Sequence, residues 1–379
     1  MDFALSEEHI MLRDSTRDLV RTNFIHYAEN ADRCGQFDPN TIKSLKDLGY
    51  FGICLPVELG GAGFDPLSLV IILEEISNYD AAAALLVSEI NSVSIGGLLK
   101  NSKRDNIKRY LTRMAAGDLI GSIAINESDD NYSLGSHVTR AVLQDNHYTL
   151  QGLKTHVFYA DLADFFVVSA QTNRDQEADE FSLFIVDKDM PGLTITKLPR
   201  MMGFNAAAIA HIRLDNCLIP VENLVGQEGG GRVLAADMLL LNQLGLAAIA
   251  LGISAGSLHE AIEYSKVRTQ FNQPICQFEA IQFMLADMVT AIDAARLLVH
   301  KAAWSVDHDK NYAPSIYEAK LFASETAFKN VHHANQIFAG YGYIKEYAIE
   351  RLFREQLLTE LFGQNNDVLR HRISDVLIS

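Results

Sequence analysis

The chain has 379 residues, of which 48% are hydrophobic and 21% charged, a globular composition that excludes disorder and low complexity. Its 32 basic and 48 acidic residues give a net charge of −16, so the surface repels phosphate backbones and no nucleic-acid partner is expected. The start shows no signal segment, and the four cysteines never fall into CxxC spacing, which together predict a cytoplasmic protein without a metal site.

The first domain, predicted over residues 1–115, is helical. Apolar residues recur there at helical spacing, and the starts of three helices are marked by capping residues. Ser6 precedes the acidic turn EEH, while Asp38 and Asp65 each stand before a proline at the first helical position.

The second domain, predicted over residues 116–225, consists of short β-strands. Runs such as GSIAIN, DFFVVSAQT and FSLFIVD are rich in β-branched and aromatic residues, and turn residues separate them. Because no helix-length pattern lies between these runs, we expect an antiparallel sheet or barrel rather than βαβ units.

The third domain, predicted over residues 226–379, is a helical bundle that follows a glycine-rich segment at 226–231. Its most apolar stretch, 233–253, contains Asp237, Asn242 and Gln243, so we interpret it as a buried central helix and predict no membrane span. The fold class is therefore α+β, in the order helical domain, β domain, helical bundle.

Motifs along nearly the whole chain resemble those of the acyl-CoA dehydrogenase family. RTQF at 268–271 with QPI at 273–275 resembles its RxxFGxPI segment, and QFMLADM at 282–288 resembles QFxLADM. QIFAGYGY at 336–343, followed by ERLFR at 350–354, resembles QxxGGxGYxxExxxERxxRD. The resemblance implies the three-domain fold of that family, with a C-terminal four-helix bundle.

The resemblance also implies an FAD cofactor and a homo-oligomer, either a dimer or a dimer of dimers. In the family, the segments that contain Arg268, Phe271, Gln336 and Gly340 bind the adenosine and pyrophosphate of FAD across a subunit interface. These residue types suit that role, because the arginine fork matches phosphate geometry and glycine lets the backbone approach a ligand closely.

On the flavin side, the counterpart of the family's TEPxxGSD lies at 126–133 and that of its WITN at 156–159. The resemblance places Asn126, Tyr132, His156, Phe158 and Gln364 at the cofactor. Phe158 replaces a threonine whose hydroxyl lies near flavin N5, and Tyr132 replaces a serine near the pyrophosphate.

The catalytic base of the family is missing at both of its usual positions. Counting from Arg354, the glutamate of the family's YEGT motif corresponds to Gly363, or to Phe362 with a one-residue gap. A subset of the family carries the glutamate on the central helix, where this chain has Asn242. Neither a glycine nor an amide accepts a proton at pH 7.

Three residues are candidates for a replacement base. Glu89 lies in the segment that lines the acyl cavity in the family, although a solvated charge at a helix end is an equally good interpretation. His156 titrates in a useful range but is equally well a packed ring. Glu360, like Asp367 beyond the turn, is better interpreted as a surface charge.

The favoured function is FAD-dependent oxidation of a small acyl group on an acyl carrier protein, as in the biosynthesis of polyketide or nonribosomal peptide extender units. The alternatives are an acyl-CoA dehydrogenase whose base has moved, and a non-catalytic or non-redox member of the fold. For an acidic carrier, the candidate docking residues are basic and cluster in one segment, where a solvated helix explains them as well: Lys100, Lys103, Arg104, Lys108, Arg109 and Arg113.

Overall fold

The computed structural model describes residues 4–127, 134, 138–172 and 180–378. The N-terminal part of the chain is helical, and its α-helices are α1 (Glu7–Leu19), α2 (Ile25–Cys34), α3 (Pro39–Asp47), α4 (Pro66–Ser77), α5 (Ala81–Asn91) and α6 (Asp105–Ala115). The three predicted caps are confirmed, because the side chains of Ser6, Asp38 and Asp65 each accept a hydrogen bond from a backbone N–H in the first turn.

The middle part is a twisted sheet whose strands are β1 (Gly121–Ala124), β2 (Arg140–Gln144), β3 (His147–Val157), β4 (Phe165–Gln171), β5 (Phe181–Asp187), β6 (Leu193–Lys197), β7 (Ala210–Pro220) and β8 (Leu224–Val225). They follow the order β6-β7-β3-β2-β4-β5-β8, with β1 beside β4. Most neighbours are antiparallel, as predicted, but β1 and β2 pair with β4 in parallel. Turn spacing does not predict this pairing, because it carries no information about which strands become neighbours.

The C-terminal part is a helical bundle with a small hairpin on its surface. Its elements are α7 (Gly231–Val267), β9 (Thr269–Gln270), β10 (Gln273–Pro274), α8 (Glu279–His308), α9 (Ala313–Phe338), α10 (Ala348–Leu361) and α11 (Asn366–Ile378). Helix α7 lies at the centre of the molecule, where it packs against α8, α9 and α10 and also against α4 and α5 of the N-terminal part.

Two helical segments of the described chain, Ala81–Asn101 and Gly231–Val267, are long and apolar enough to cross a membrane. In each segment, 89% of the most apolar window is buried inside the fold. Both are therefore core helices, which agrees with the interpretation of 233–253 as a buried central helix.

Two glycines allow α7 to approach the N-terminal helices closely. A Cβ on Gly245 would lie 1.8 Å from the Ser88 hydroxyl on α5, and one on Gly252 would lie 2.0 Å from the Ser77 hydroxyl on α4. Any larger residue at these positions would push the helices apart. The close approach brings the α7 turn that contains Asn242 against the α5 residue that follows Ser88.

The end of β3 carries an irregularity that shapes the rim of the sheet. The β3–β7 register shifts between Lys154 and Val157, and His156 within the shift has a left-handed φ of 54°. Tyr159, just beyond the strand, has a φ of 53°. Non-glycine residues adopt this conformation rarely, and such strain is concentrated at functional sites.

Candidate active site

A buried carboxyl group, that of Glu89 on α5, lies at the centre of the candidate site. Glu89 is 2% exposed. Its Oε1 accepts hydrogen bonds from the backbone N–H of Ile123 at 2.8 Å and from the Ser122 hydroxyl at 3.3 Å. Its Oε2 accepts one from the Asn242 side-chain amide at 3.0 Å. The carboxyl group is thus held between β1 and the central helix α7.

The environment of Glu89 makes it a stronger base than an ordinary glutamate. Burial raises the pKa of its carboxyl group to about 7, while the hydrogen bonds from Ile123 and Ser122 offset part of that rise. All the donors that contact it are neutral, so they satisfy the carboxylate without holding it strongly ionised. The burial excludes the interpretation of Glu89 as a solvated charge at a helix end.

The turn between α10 and α11 reaches the same place from the other side of α7. Gly363 has a φ of +63°, and a Cβ on it would lie 3.6 Å from Asn242 Oδ1 and 2.7 Å from a Leu246 methyl group. Positions 363 and 242, which the resemblance identifies as the two locations of the base, are therefore adjacent in space. Glu89 is hydrogen-bonded directly to the second of them.

Two glutamines complete the polar lining. The Gln243 amide donates to the Gln364 side-chain oxygen at 3.4 Å, and Gln364 has a left-handed φ of 73°. Gln243 is 2% exposed, and its own Oε1 has no hydrogen-bond partner in the described part of the chain. We refer to these buried polar residues and the turn beside them as the Glu89 cluster: Glu89, Ser122, Asn242, Gln243, Gly363 and Gln364.

The residues predicted at the flavin rim lie next to this cluster. The Phe158 ring packs edge-on against Phe362 with a centroid distance of 4.8 Å, and His156 lies 6.4 Å from the same ring. The Asn126 amide donates to the Thr155 hydroxyl at 2.9 Å and faces His156 Nδ1 at 3.5 Å. Tyr132 lies outside the described residues.

The predicted adenosine and pyrophosphate segments lie together elsewhere, on the surface. The Arg268 guanidinium stacks over the Tyr341 ring at 5.4 Å, in a recess of ≈ 570 Å³ that Gly340 also lines. Apart from its chain neighbours and adjacent helix backbone, no atom of the described residues lies within 4 Å of a Cβ built on Gly340, and the Phe271 ring is 89% exposed. Gln336 is exposed in the last turn of α9. We refer to Arg268, Phe271, Gly340 and Tyr341 as the Arg268 recess.

The structure does not place Glu360 with the Glu89 cluster. Burial raises the pKa of its carboxyl group, and the charges that act on it are those of Glu325, Lys320 and Arg370, so it lies on the α9–α11 side of the turn. Asp367 is exposed and pairs with Arg370 at 3.2 Å. Of the candidate bases, Glu89 contacts a usual base position directly and His156 lies at the rim.

Matches to family models cover the chain in three consecutive segments. The N-terminal, middle and C-terminal domains of acyl-CoA dehydrogenase match residues 6–118, 122–217 and 229–378. The chain belongs to the acyl-CoA dehydrogenase family. The fold predicted from the motifs is therefore confirmed.

Relatives of known name resemble this acyl-CoA dehydrogenase family member over their full length. It is 35% identical to an acyl-CoA dehydrogenase of Bacillus subtilis and 33% identical to a short-chain specific acyl-CoA dehydrogenase of Clostridium acetobutylicum, over 99% of this chain and 99% of each relative. The solved structure of butyryl-CoA dehydrogenase from Megasphaera elsdenii matches with a TM-score of 0.96 and 30% identity, over 100% of both chains.

Members of the acyl-CoA dehydrogenase family are FAD flavoproteins, so FAD is the cofactor of this chain by family. The described residues fit that cofactor. The Arg268 recess offers a guanidinium beside an unobstructed glycine, a combination that suits a pyrophosphate. The exposed Phe271 ring next to it offers an apolar face for a planar base.

Sequence reasoning missed part of the site. It named Glu89 and Asn242 separately but did not predict their contact, and it did not find Ser122 or the Ile123 N–H. A usable signal was present, because Gly245, Gly252 and Gly256 follow one another at helical spacing along α7 and mark the face where another helix packs closely. The donors on β1 have no such signal, since a backbone N–H is available at almost every position.

Proposed function

We propose that this chain is an FAD-dependent oxidoreductase of short acyl thioesters in which Glu89 replaces the usual base as the proton acceptor. The observation that carries the proposal is the 3.0 Å hydrogen bond between the side chains of Glu89 and Asn242, at the point where positions 242 and 363 converge. A carboxyl group is thus available at the site although both usual positions lack one.

Glu89 can act as a proton acceptor, whereas the residues at positions 242 and 363 cannot. The family reaction removes a proton from the carbon next to the thioester carbonyl, and bound FAD supplies the hydride acceptor. Asn242 and Gly363 offer no group that accepts a proton at neutral pH. Glu89 does, and a pKa of about 7 leaves its carboxyl group about half ionised at pH 7 with a raised affinity for the proton.

The neighbours of Glu89 act by positioning it. The Asn242 amide fixes Oε2, while the Ile123 N–H and the Ser122 hydroxyl fix Oε1. The Ser122 hydroxyl shares its single proton between Glu89 Oε1 at 3.3 Å and the Phe158 carbonyl oxygen at 2.8 Å, which ties the carboxyl group to the rim of the sheet. With its orientation held in this way, the carboxyl group needs little rearrangement to accept a proton.

The packing around the cluster supports a short acyl group. Leu246 and Gln243 lie directly against Gly363, and the Gln243–Gln364 contact closes the space beside it. The unpaired, buried Oε1 of Gln243 favours an acyl group that carries a hydrogen-bond donor, because a purely hydrocarbon group would leave that oxygen unsatisfied. The name of the short-chain specific relative from Clostridium acetobutylicum is consistent with this size.

The test is the rate at which matched short acyl thioesters reduce the bound flavin under anaerobic conditions, measured for the wild type and for Glu89→Gln. The substitution keeps the shape of the protonated carboxyl group and removes the base, so we expect the rate to fall roughly 10²- to 10⁴-fold. FAD content should be retained, and thermal stability should be no lower than that of the wild type, because amide and acid are nearly isosteric.

Glu75→Gln is the matched control. Glu75 is also buried on the N-terminal side, but its carboxylate pairs with Arg17 at 2.6 Å and is not hydrogen-bonded to the Glu89 cluster in the described part of the chain. Glu75→Gln should lower the free energy of unfolding and leave the rate of flavin reduction near that of the wild type. Equal rates for wild type and Glu89→Gln would contradict the role of Glu89, and no reduction of the wild type by any thioester would favour the non-catalytic alternative.

An acyl carrier protein is a second candidate for the group that bears the substrate. Part of the predicted patch is used internally, since Lys100 pairs with Asp237 and Arg104 donates to the Leu224 carbonyl oxygen at 2.6 Å. On α6 and just before it, Lys103, Lys108 and Arg113 are exposed, and none of them has an ion pair in the described part of the chain. Three free cations on an acidic protein favour a local docking site for an acidic partner.

Matched thioesters of CoA and of a carrier protein separate the two cases. If the carrier is the natural partner, its thioester should reduce the flavin faster, and the triple substitution Lys103→Glu, Lys108→Glu, Arg113→Glu should slow that reaction alone. Faster reduction by the CoA thioester, unaffected by the triple substitution, would exclude the carrier.

We further propose that the protein is a cytoplasmic homo-oligomer. The support is the exposure of large rings around the Arg268 recess, where Phe271 is 89% and Tyr341 43% exposed. Exposed aromatic rings beside an arginine are typical of surfaces that become buried in a subunit interface. Size-exclusion chromatography with light scattering tests this, and a monomer that retains FAD would contradict it.

A further inference from the structure

A lysine is buried behind the catalytic turn. Lys320 lies in the middle of α9 and is fully buried. Its Nζ donates to the backbone carbonyl oxygen of Gln364 at 2.7 Å. Burying an amine is costly, because burial penalises its charged form. The contact with Gln364 is therefore the feature of Lys320 that needs an explanation.

The carbonyl group that Lys320 holds belongs to the most constrained part of the turn. Gly363 and Gln364 have left-handed φ values of 63° and 73° in succession. The next turn of α9 provides a second attachment, because Ser324 and Asn366 are hydrogen-bonded through their side chains at 3.1–3.2 Å. Helix α9 thus fixes the turn from behind at two consecutive levels.

The front of the turn faces the Glu89 cluster and the flavin rim. Phe362 packs on Phe158, Gly363 lies against Asn242 and Gln243, and the Gln364 side chain contacts Gln243. A shift of this turn would change all of these contacts together.

We propose that Lys320 is a positioning residue, whose buried amine holds the Gln364 carbonyl group and so fixes the turn at 362–365 against the Glu89 cluster. Lys320 touches no reacting atom in this account. The inference rests on the proposed function only for its kinetic readout, and its structural readout is independent of it.

The charges around Lys320 determine how this attachment depends on pH. Burial lowers the pKa of Lys320 to about 7, and the attraction of Glu360 on α10 offsets part of that shift. Glu360 in turn faces Glu325 on α9 and Arg370 on α11. Because the pKa is lower in the closed turn than in water, detaching the turn takes up a proton. The closed turn should become more stable as the pH rises from about 7 towards the ordinary lysine value.

The first measurement uses the wild type alone. Hydrogen exchange of the peptide 362–369, corrected for the intrinsic effect of pH, should slow between pH 7 and pH 9. If the corrected exchange rate of this peptide does not change with pH, the proposal is overturned.

The second measurement compares Lys320→Met with Lys329→Met, a change of an exposed lysine on the same helix. Lys320→Met should speed exchange at 362–369 at least about tenfold, abolish its pH dependence and lower kcat roughly 10- to 100-fold with a smaller change in KM. Lys320→Arg, which keeps a donor, should recover part of the loss. Lys329→Met should match the wild type in all respects.

Unchanged exchange and unchanged kcat in Lys320→Met would refute the positioning role. If Glu89→Gln proves fully active while Lys320→Met still speeds exchange at the turn, the proposed base is wrong and the attachment by Lys320 stands.

Discussion

The Glu89 cluster and the Arg268 recess differ in how they are built. The recess is on the surface, and Arg268, Phe271, Gly340 and Tyr341 come from two short segments that resemble family motifs. The cluster is buried, and its members come from α5, β1, α7 and the α10–α11 turn.

This difference explains why the Arg268 recess resembles the family motifs more closely than the Glu89 cluster does. A cofactor segment keeps its motif because each residue contacts the ligand from a fixed place in the chain. A base needs only to reach one point in space, and positions 89, 242 and 363 all lie near the same point. A carboxyl group can therefore move between segments of the chain while the chemistry stays in place.

The sharpest test of whether the carboxyl group can change position is to move it from position 89 to position 242. In the double variant Glu89→Gln, Asn242→Glu, the two side chains swap roles across the same 3.0 Å contact. We expect the rate of flavin reduction, lowered roughly 10²- to 10⁴-fold by Glu89→Gln alone, to recover at least tenfold in the double variant. Asn242→Glu alone should be impaired, because two adjacent carboxyl groups share one proton.

The pH dependence of stability gives the next largest effect. Glu89 has a folded pKa of about 7, above its unfolded value, so its stabilising contribution is fully present below pH 4.5 and is lost as the pH rises to about 7. Glu89→Gln removes the ionisable group, so the variant does not lose this stability as the pH rises. The variant should match the wild type near pH 4.5 and exceed it by about 3 kcal/mol at pH 8 and above, measured by denaturant unfolding. Equal stabilities at pH 8 would show that the Glu89 carboxyl group is not desolvated.

A substitution in the Arg268 recess should weaken FAD binding and leave the stability of the fold unchanged. Arg268→Ala removes the cation over Tyr341, and a hydrogen bond to a charged group contributes about 1.5–3 kcal/mol. We expect the dissociation constant for FAD to rise about tenfold or more, and the proposed subunit association to weaken, while the apoprotein keeps its melting temperature. Unchanged FAD affinity would remove the recess from the cofactor site.

The smallest expected effects are the stability costs of substituting one glycine in each region, Gly363 beside the Glu89 cluster and Gly340 in the Arg268 recess. Gly363→Ala places a Cβ 2.7 Å from Leu246 at a φ of +63°, so it should cost about 1–2 kcal/mol of stability. For the same reason, Gly363→Glu should not restore an ancestral base. Gly340→Ala meets open space and should change stability by less than about 0.5 kcal/mol. Urea unfolding of both variants measures the difference, and equal costs would contradict the contrast.

The sequence predicted the elements better than their contacts. Ser6, Asp38 and Asp65 mark helix starts because a cap acts within its own turn, and the three-part order followed from periodicity alone. The parallel pairing of β1 with β4 and the contact of Glu89 with Asn242 were not predictable in that way. Both join segments far apart in the chain, and their signal is distributed over small residues such as Gly245.

Within the site, the motif residues were easier to predict than the base. Arg268 and Gly340 were named from their resemblance to family motifs, and the structure places them together at one recess. Lys320 was missed, because a lysine inside a helical pattern reads as a surface residue until its burial is known. The resemblance identifies Gly363 as a base position without a carboxylate, and the physical reason for a glycine there, the left-handed turn against Leu246, is visible only in the fold.

The most direct test of the central claim is the pH dependence of anaerobic flavin reduction by a saturating short acyl thioester, compared between the wild type and Glu89→Asp and Glu89→Gln. The account predicts that the wild-type rate rises with pH through a midpoint near 7, where Glu89 loses its proton. Glu89→Asp should retain such a rise at a lower rate, and Glu89→Gln should show a low rate without it. A midpoint near 7 that persists unchanged in Glu89→Gln would mean that another group is the base.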